Sequence, residues 1–129
     1  MAATILVVED DAAQRELLCE LLEDHGYACI AAEDGRRALD VLASMRSPDA
    51  VVLDMVLPRL NGYEFLQELR ERGERNLAVV VVTGFRPVPR FVDRFPVVRA
   101  VVQKPVDLAA LLEAVQSCVD AGAAPQPAH

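Results

Sequence analysis

Basic residues are scarce and scattered in this chain. Arg36-Arg37 is the one adjacent basic pair, and no stripe of Lys and Arg occurs. With a formal net charge of −7, the composition argues against a nucleic-acid-binding surface. Cysteines are few and odd in number. Cys19, Cys29 and Cys118 form no CxxC and no metal-ligand spacing with His25 or His129. They read as buried small hydrophobes in a reducing compartment. Long hydrophobic runs are missing too, so no membrane span is expected. The N-terminus lacks a basic segment, and its apolar run stops at Glu9, so no signal peptide is expected and the location reads as cytoplasmic.

What the chain does have is apolar residues, 53% of its 129 positions, enough for one domain with a real core. Apolar runs and amphipathic segments alternate. Strands are predicted at 4–8, 27–32, 50–53, 77–82 and 98–103. The first helix, over 12–25, carries Leu17, Leu18, Leu21 and Leu22 on one face and closes at Gly26. A second, after Gly35, turns Ala38, Leu39, Leu42 and Met45 inward. A third, ending near Gly73, turns in Phe65, Leu66 and Leu69. A last helix, capped by Asp107, turns in Leu108, Leu111, Leu112, Val115 and Val119. Strict alternation implies right-handed βαβ units and a parallel sheet covered on both faces. Between the fourth and fifth strands, Pro87 and Pro89 stand too close together for one regular helix. At most a turn or two is predicted at 90–95.

Four of the strands end on residues suited to phosphoryl chemistry. Ile5 to Val8 runs into Glu9-Asp10-Asp11. Ala50 to Leu53 runs into Asp54, Leu77 to Val82 into Thr83, and Val101 to Gln103 into Lys104-Pro105. In an open parallel sheet all four endings gather at one rim, where α/β proteins place their sites. An aspartate there can act as a nucleophile toward phosphorus. Its charge and that of the incoming group call for a divalent cation held by further carboxylates. A Lys can neutralise one phosphoryl oxygen and a Thr hydroxyl can donate to another. Taken singly, each has an ordinary alternative. Glu9 or Asp10 could be a solvated loop charge, Thr83 part of an ST-turn, and Lys104 a surface lysine. Asp11 with Gln14 reads as a capping box, His25 as a surface residue at a helix C-terminus, and Asn61-Gly62 as a turn opening the third helix.

Over residues 4–120 the sequence resembles the receiver domain of two-component response regulators. The matching stretches are LVVEDD at 6–11, VVLDMVLPRLNG at 51–62, VVTG at 81–84 and QKP at 103–105. The resemblance implies a flavodoxin-like (CheY-like), doubly wound five-stranded parallel sheet in the order 2-1-3-4-5. It implies a receiver over 1–120, with 121–129 a flexible tail or linker stub. Asp54 would be the phospho-acceptor, Asp10 a direct ligand of Mg²⁺ (or Mn²⁺), Glu9 the second acidic position, and the Val56 carbonyl a backbone ligand. Thr83 would be the switch hydroxyl, Lys104 the phosphate-binding lysine, and Lys104–Pro105 a cis bond. Phosphate would come from a histidine kinase or histidine phosphotransfer protein. Such a domain catalyses only its own phosphorylation and dephosphorylation.

Two departures from the family pattern stand out. The position three before the Lys, usually Tyr or Phe, is Val101, and residues 96–129 contain no aromatic. The fourth-helix region is the Pro-rich segment 84–97. Output is therefore expected through the 84–103 face, to a downstream protein or a second copy. The alternative function is a phosphate-independent interaction module that keeps the fold. Aspartyl phosphatases carry their nucleophile after strand 1, and flavodoxins need a phosphate loop there that an acidic cluster would repel, so neither fits.

Overall fold

The computed structural model describes residues 2–44, 47–74 and 76–123. Five strands, β1 (Thr4–Val8), β2 (Ala28–Ala32), β3 (Ala50–Asp54), β4 (Val79–Thr83) and β5 (Val98–Gln103), alternate with α1 (Ala12–Asp24), α2 (Gly35–Ser44) and α3 (Gly62–Glu71). A short 3₁₀ helix (Arg90–Arg94) joins β4 to β5, and α4 (Leu108–Ala123) follows β5. All strand pairs are parallel, in the order β2-β1-β3-β4-β5, with a register shift between β4 and β5 at Val79/Val80. This is the architecture expected from the alternation. Asp54 and Thr83 are the last residues of their strands, and α4 continues three residues into the segment read as a tail.

Residues point alternately to the two faces of a strand, so the sheet builds two cores. Leu6, Val8, Val51, Leu53, Val79 and Val81 pack against α2, α3 and the 3₁₀ segment. Ile5, Val7, Val52, Val80 and Val82 pack against α1 and α4. Burial on both sides is why these strands need no polar alternation. Phe65, Leu66 and Leu69 of α3 are buried as predicted. The α1 face is narrower than predicted: Leu18 and Leu22 are buried, whereas Leu17 stands exposed. Met45 lies outside the described residues. Cys118 is buried, but Cys19 and Cys29 are half-buried, not core residues.

Capping differs in detail from the sequence reading. The Asp11 carboxylate accepts from the Gln14 N–H, but no reciprocal bond follows, because the Asp11 N–H donates to Glu9 Oε2. The reciprocal box is at α3, where Asn61 and Glu64 satisfy each other's N–H groups. Gly26 follows α1 at φ 89°, and His25 Nδ1 meets the Leu21 carbonyl. Asp107 caps α4 through the N–H groups of Ala109 and Ala110.

Between β4 and β5 no α-helix forms among the described residues. The 3₁₀ turn buries Val92, and the residues after it bury Phe95 and Val97. Phe91 and Phe95 set their rings edge-on to Tyr63 of α3, at 4.8 and 5.9 Å between centroids, and the Arg70 guanidinium lies 5.0 Å above the Phe95 ring.

Candidate phosphoryl site at the carboxyl rim of the sheet

The β1–α1 loop brings Glu9 and Asp10 to the end of β3. One carboxylate oxygen from each of Glu9, Asp10 and Asp54 lies within 4.8 Å of the others. Glu9 and Asp54 are each only 4% exposed, while Asp10 faces solvent. Crowding two carboxylates out of water is costly. Lys104 offsets part of that cost. Its Nζ donates to Asp54 Oδ2 at 2.9 Å and lies 3.9 Å from Glu9 Oε1. Burial works against the Lys104 ammonium, but the hydrogen bond and charge of Asp54, with Glu9 and Asp10 behind it, outweigh burial and raise its pKa above the usual lysine range. Burial pushes the Glu9 carboxyl up to about 7, and the hydrogen bond and charge of Asp54 add to that rise.

The other Asp54 oxygen, Oδ1, accepts the Val56 N–H at 3.0 Å. Val56 thus joins the site through its backbone, and the residue is 60% exposed. The loop after it is tightly placed. Gly62 packs so close to Met55 that an added Cβ would come within 2.7 Å of both its Cα and Sδ. Arg59, at φ 64°, reaches the buried Asp34, 3.5 Å away. Asp34 also accepts the Arg37 N–H at the start of α2.

Thr83 is 1% exposed. Its Oγ1 accepts the Phe85 N–H at 3.0 Å, the ST-turn that the residue type allows. Two further bonds hold this turn to the end of β5: Gln103 Nε2 donates to the Phe85 carbonyl and Arg86 to the Lys104 carbonyl. Lys104–Pro105 is cis, as the resemblance implies, and so is Arg86–Pro87. The acids, Thr83 and Lys104 therefore share one rim. Arg15, Arg86 and Gln103 support it through backbone carbonyls, a kind of contact that residue spacing does not reveal.

Oxygen donors from three carboxylates match the hard-cation preference of Mg²⁺ and Mn²⁺, and the close group of Glu9, Asp10 and Asp54 provides them. Among the described residues no helix is long and apolar enough to cross a membrane.

Comparison with known proteins agrees with this geometry. The profile of the response regulator receiver domain matches residues 5–116. The response regulator MprA of Mycolicibacterium vanbaalenii is 51% identical over 84 residues, covering 65% of this chain and 36% of that protein. The protein of the same name from Mycobacterium tuberculosis is 48% identical over the same length and coverage. The chain thus spans about a third of the length of these curated relatives. Among solved structures, the signal receiver domain of a histidine kinase from Syntrophus aciditrophicus superposes with a TM-score of 0.84 at 27% identity, covering 99% of this chain and 98% of that one. The Vibrio cholerae chemotaxis protein CheY4 gives 0.80 at 25% identity, covering 92% and 99%. With the profile spanning most of its length and the CheY-like fold matched throughout, the chain belongs to the response regulator receiver domain family.

Proposed function

We propose that Asp54 accepts a phosphoryl group from a histidine kinase or histidine phosphotransfer protein, with a divalent cation held by Glu9, Asp10, Asp54 and the Val56 carbonyl. The observation that carries this reading is the buried Asp54 carboxylate, bonded to Lys104 at 2.9 Å beside Glu9 and Asp10. An Asp54 oxygen attacks phosphorus as the bond to the donor imidazole nitrogen breaks, and that electron pair returns to the ring. Mg²⁺ or Mn²⁺, when bound, supplies positive charge between the carboxylates and the transferring group. Lys104 turns its ammonium from Asp54 to a phosphoryl oxygen. Because Thr83 Oγ1 already accepts from Phe85, its own O–H is free to donate to the phosphoryl group.

Movement of Thr83 toward that group pulls on Phe85 directly, through the hydrogen bond from the Phe85 N–H to Thr83 Oγ1. This offers a route to segment 84–97 that needs no aromatic at position 101. The switched surface is the 84–103 face, read by a downstream protein or a second copy. The test is incubation with a small phosphodonor and Mg²⁺, followed by intact mass. One phosphoryl increment should form, and it should vanish in Asp54→Ala and in chelator. An increment that persists in either condition overturns the assignment.

A further inference from the structure

The cation proposed above needs Glu9 and Asp10 aimed at Asp54, and the side chain best placed to aim them is absent from the acidic cluster itself. Arg15 lies on the first turns of α1, half-buried. Its Nη1 donates to the Glu9 carbonyl at 2.9 Å and to the Asp10 carbonyl at 3.3 Å. It makes no ion pair among the described residues, so its charge is not spent on a carboxylate.

The two peptides it holds carry the two acids. Glu9 is gripped from its other side as well, by its N–H to the Ala32 carbonyl and by the Asp11 N–H on its carboxylate. Asp10 has no such second hold. It is exposed, and among the described residues its side chain makes no hydrogen bond. The Arg15 guanidinium is the contact that fixes its carbonyl. Both bonds come from one nitrogen, Nη1, so the guanidinium bridges two successive carbonyls through a single donor atom.

We infer that Arg15 is a positioning residue for the cation site: by clamping the Glu9 and Asp10 carbonyls it presents both carboxylates to Asp54 before metal arrives. The inference rests on the metal reading above but makes its own prediction, because Arg15 exerts two opposed effects. As a positive charge held against the Glu9 and Asp10 carbonyls it repels an arriving cation, so its loss should tighten binding. As a clamp it preorganises the ligands, so its loss should weaken binding. Partners one step behind the ligands are commonly worth tenfold or more in affinity, which makes the clamp the larger effect.

The experiment is direct titration with Mn²⁺, read by the electron paramagnetic resonance of the free ion, on wild type, Arg15→Gln and Arg15→Lys. Unfolding by urea is measured in chelator on the same three proteins. Arg15→Gln should raise the Mn²⁺ Kd on the order of tenfold. Its midpoint in chelator should stay close to that of wild type. Arg15→Lys, which keeps the charge but ends its side chain one atom short of Nη1, should bind more weakly than wild type. Unchanged or tighter binding in Arg15→Gln overturns the inference. So does weaker binding matched by an equal loss of stability in chelator, which would make Arg15 a general fold contact. A wild-type protein that holds no Mn²⁺ overturns the metal reading, and this inference with it.

Discussion

Glu9 is a residue whose charge changes near neutral pH. In the metal-free protein its carboxyl titrates near 7, against an ordinary value of 4.5, because it is buried beside Asp54. The folded state therefore keeps a proton that the unfolded chain has lost anywhere between those values. Stability should fall as pH rises through that window and level off above it. Urea midpoints in chelator should show this slope in wild type and a flatter one in Glu9→Gln; an identical slope in the variant removes Glu9 as its source. Cation binding should run the other way, displacing the proton, so Mg²⁺ should stabilise the protein more at pH 8 than at pH 6. Two apolar side chains at the site carry a second prediction. In receivers, the residues two after the acceptor and two after the Thr flank the path of the attacking water. Here they are Val56 and Phe85, 60% and 49% exposed, with backbones tied to Asp54 and Thr83. Neither side chain can orient a water, so hydrolysis of the aspartyl-phosphate should be slow for the family. The double variant Val56→Asn with Phe85→Glu should lose phosphate faster, and equal or slower loss in a time course counts against the idea. The gathering of Glu9, Asp54, Thr83 and Lys104 at one rim was legible in the sequence because each follows an apolar run. Its supports, Arg15, Gln103 and Arg86, were not, because each bonds a main-chain carbonyl that any residue could have supplied.

Among the elements, the 84–97 segment departs furthest from a regular α/β unit. Pro87 and Pro89 made the missing helix visible in the sequence. The packing that replaces it was hidden, since Tyr63, Phe91 and Phe95 meet only once α3 and the 3₁₀ turn lie side by side. Capping shows a similar limit. A polar residue three before a Gln or Glu marks a helix start in both α1 and α3, yet only Asn61–Glu64 closes reciprocally. At α1 the neighbouring Glu9 takes the Asp11 N–H first. Backbone bonds are sparse over 84–94 and gather at the end of the segment: Val92 to Pro89 at 3.4 Å, Phe95 to Val92 at 3.2 Å, Val98 to Phe95 at 2.9 Å, and Val79 to the Val97 carbonyl at 2.8 Å. Few backbone bonds mean low local opening free energy. Amide exchange over 84–97 should therefore be fast without phosphate and slow on phosphorylation, as Thr83 and Phe85 are drawn to the site. Strong protection before phosphorylation, or no change after it, would leave this segment out of the switch.

For the molecule as a whole, the sheet acts as a partition. Its strands send alternate side chains into two cores, one with α2, α3 and the 3₁₀ turn and the other with α1 and α4. Glu16, Glu20, Glu23 and Asp24 line α1, while Arg86, Arg90 and Arg94 stand on the segment between β4 and β5. Among the described residues the two cores share no buried side chain. Val41→Ala in one and Val115→Ala in the other should each cost about 1–3 kcal/mol. Combined, they should add to within about 0.5 kcal/mol, as urea unfolding of the two single variants and the double would show. A larger deviation would mean that strain crosses the sheet. Independence of this kind has an evolutionary consequence. A substitution that adapts one side to a new protein leaves the fit of the other untouched, so descendants of this chain can exchange their contacts one side at a time.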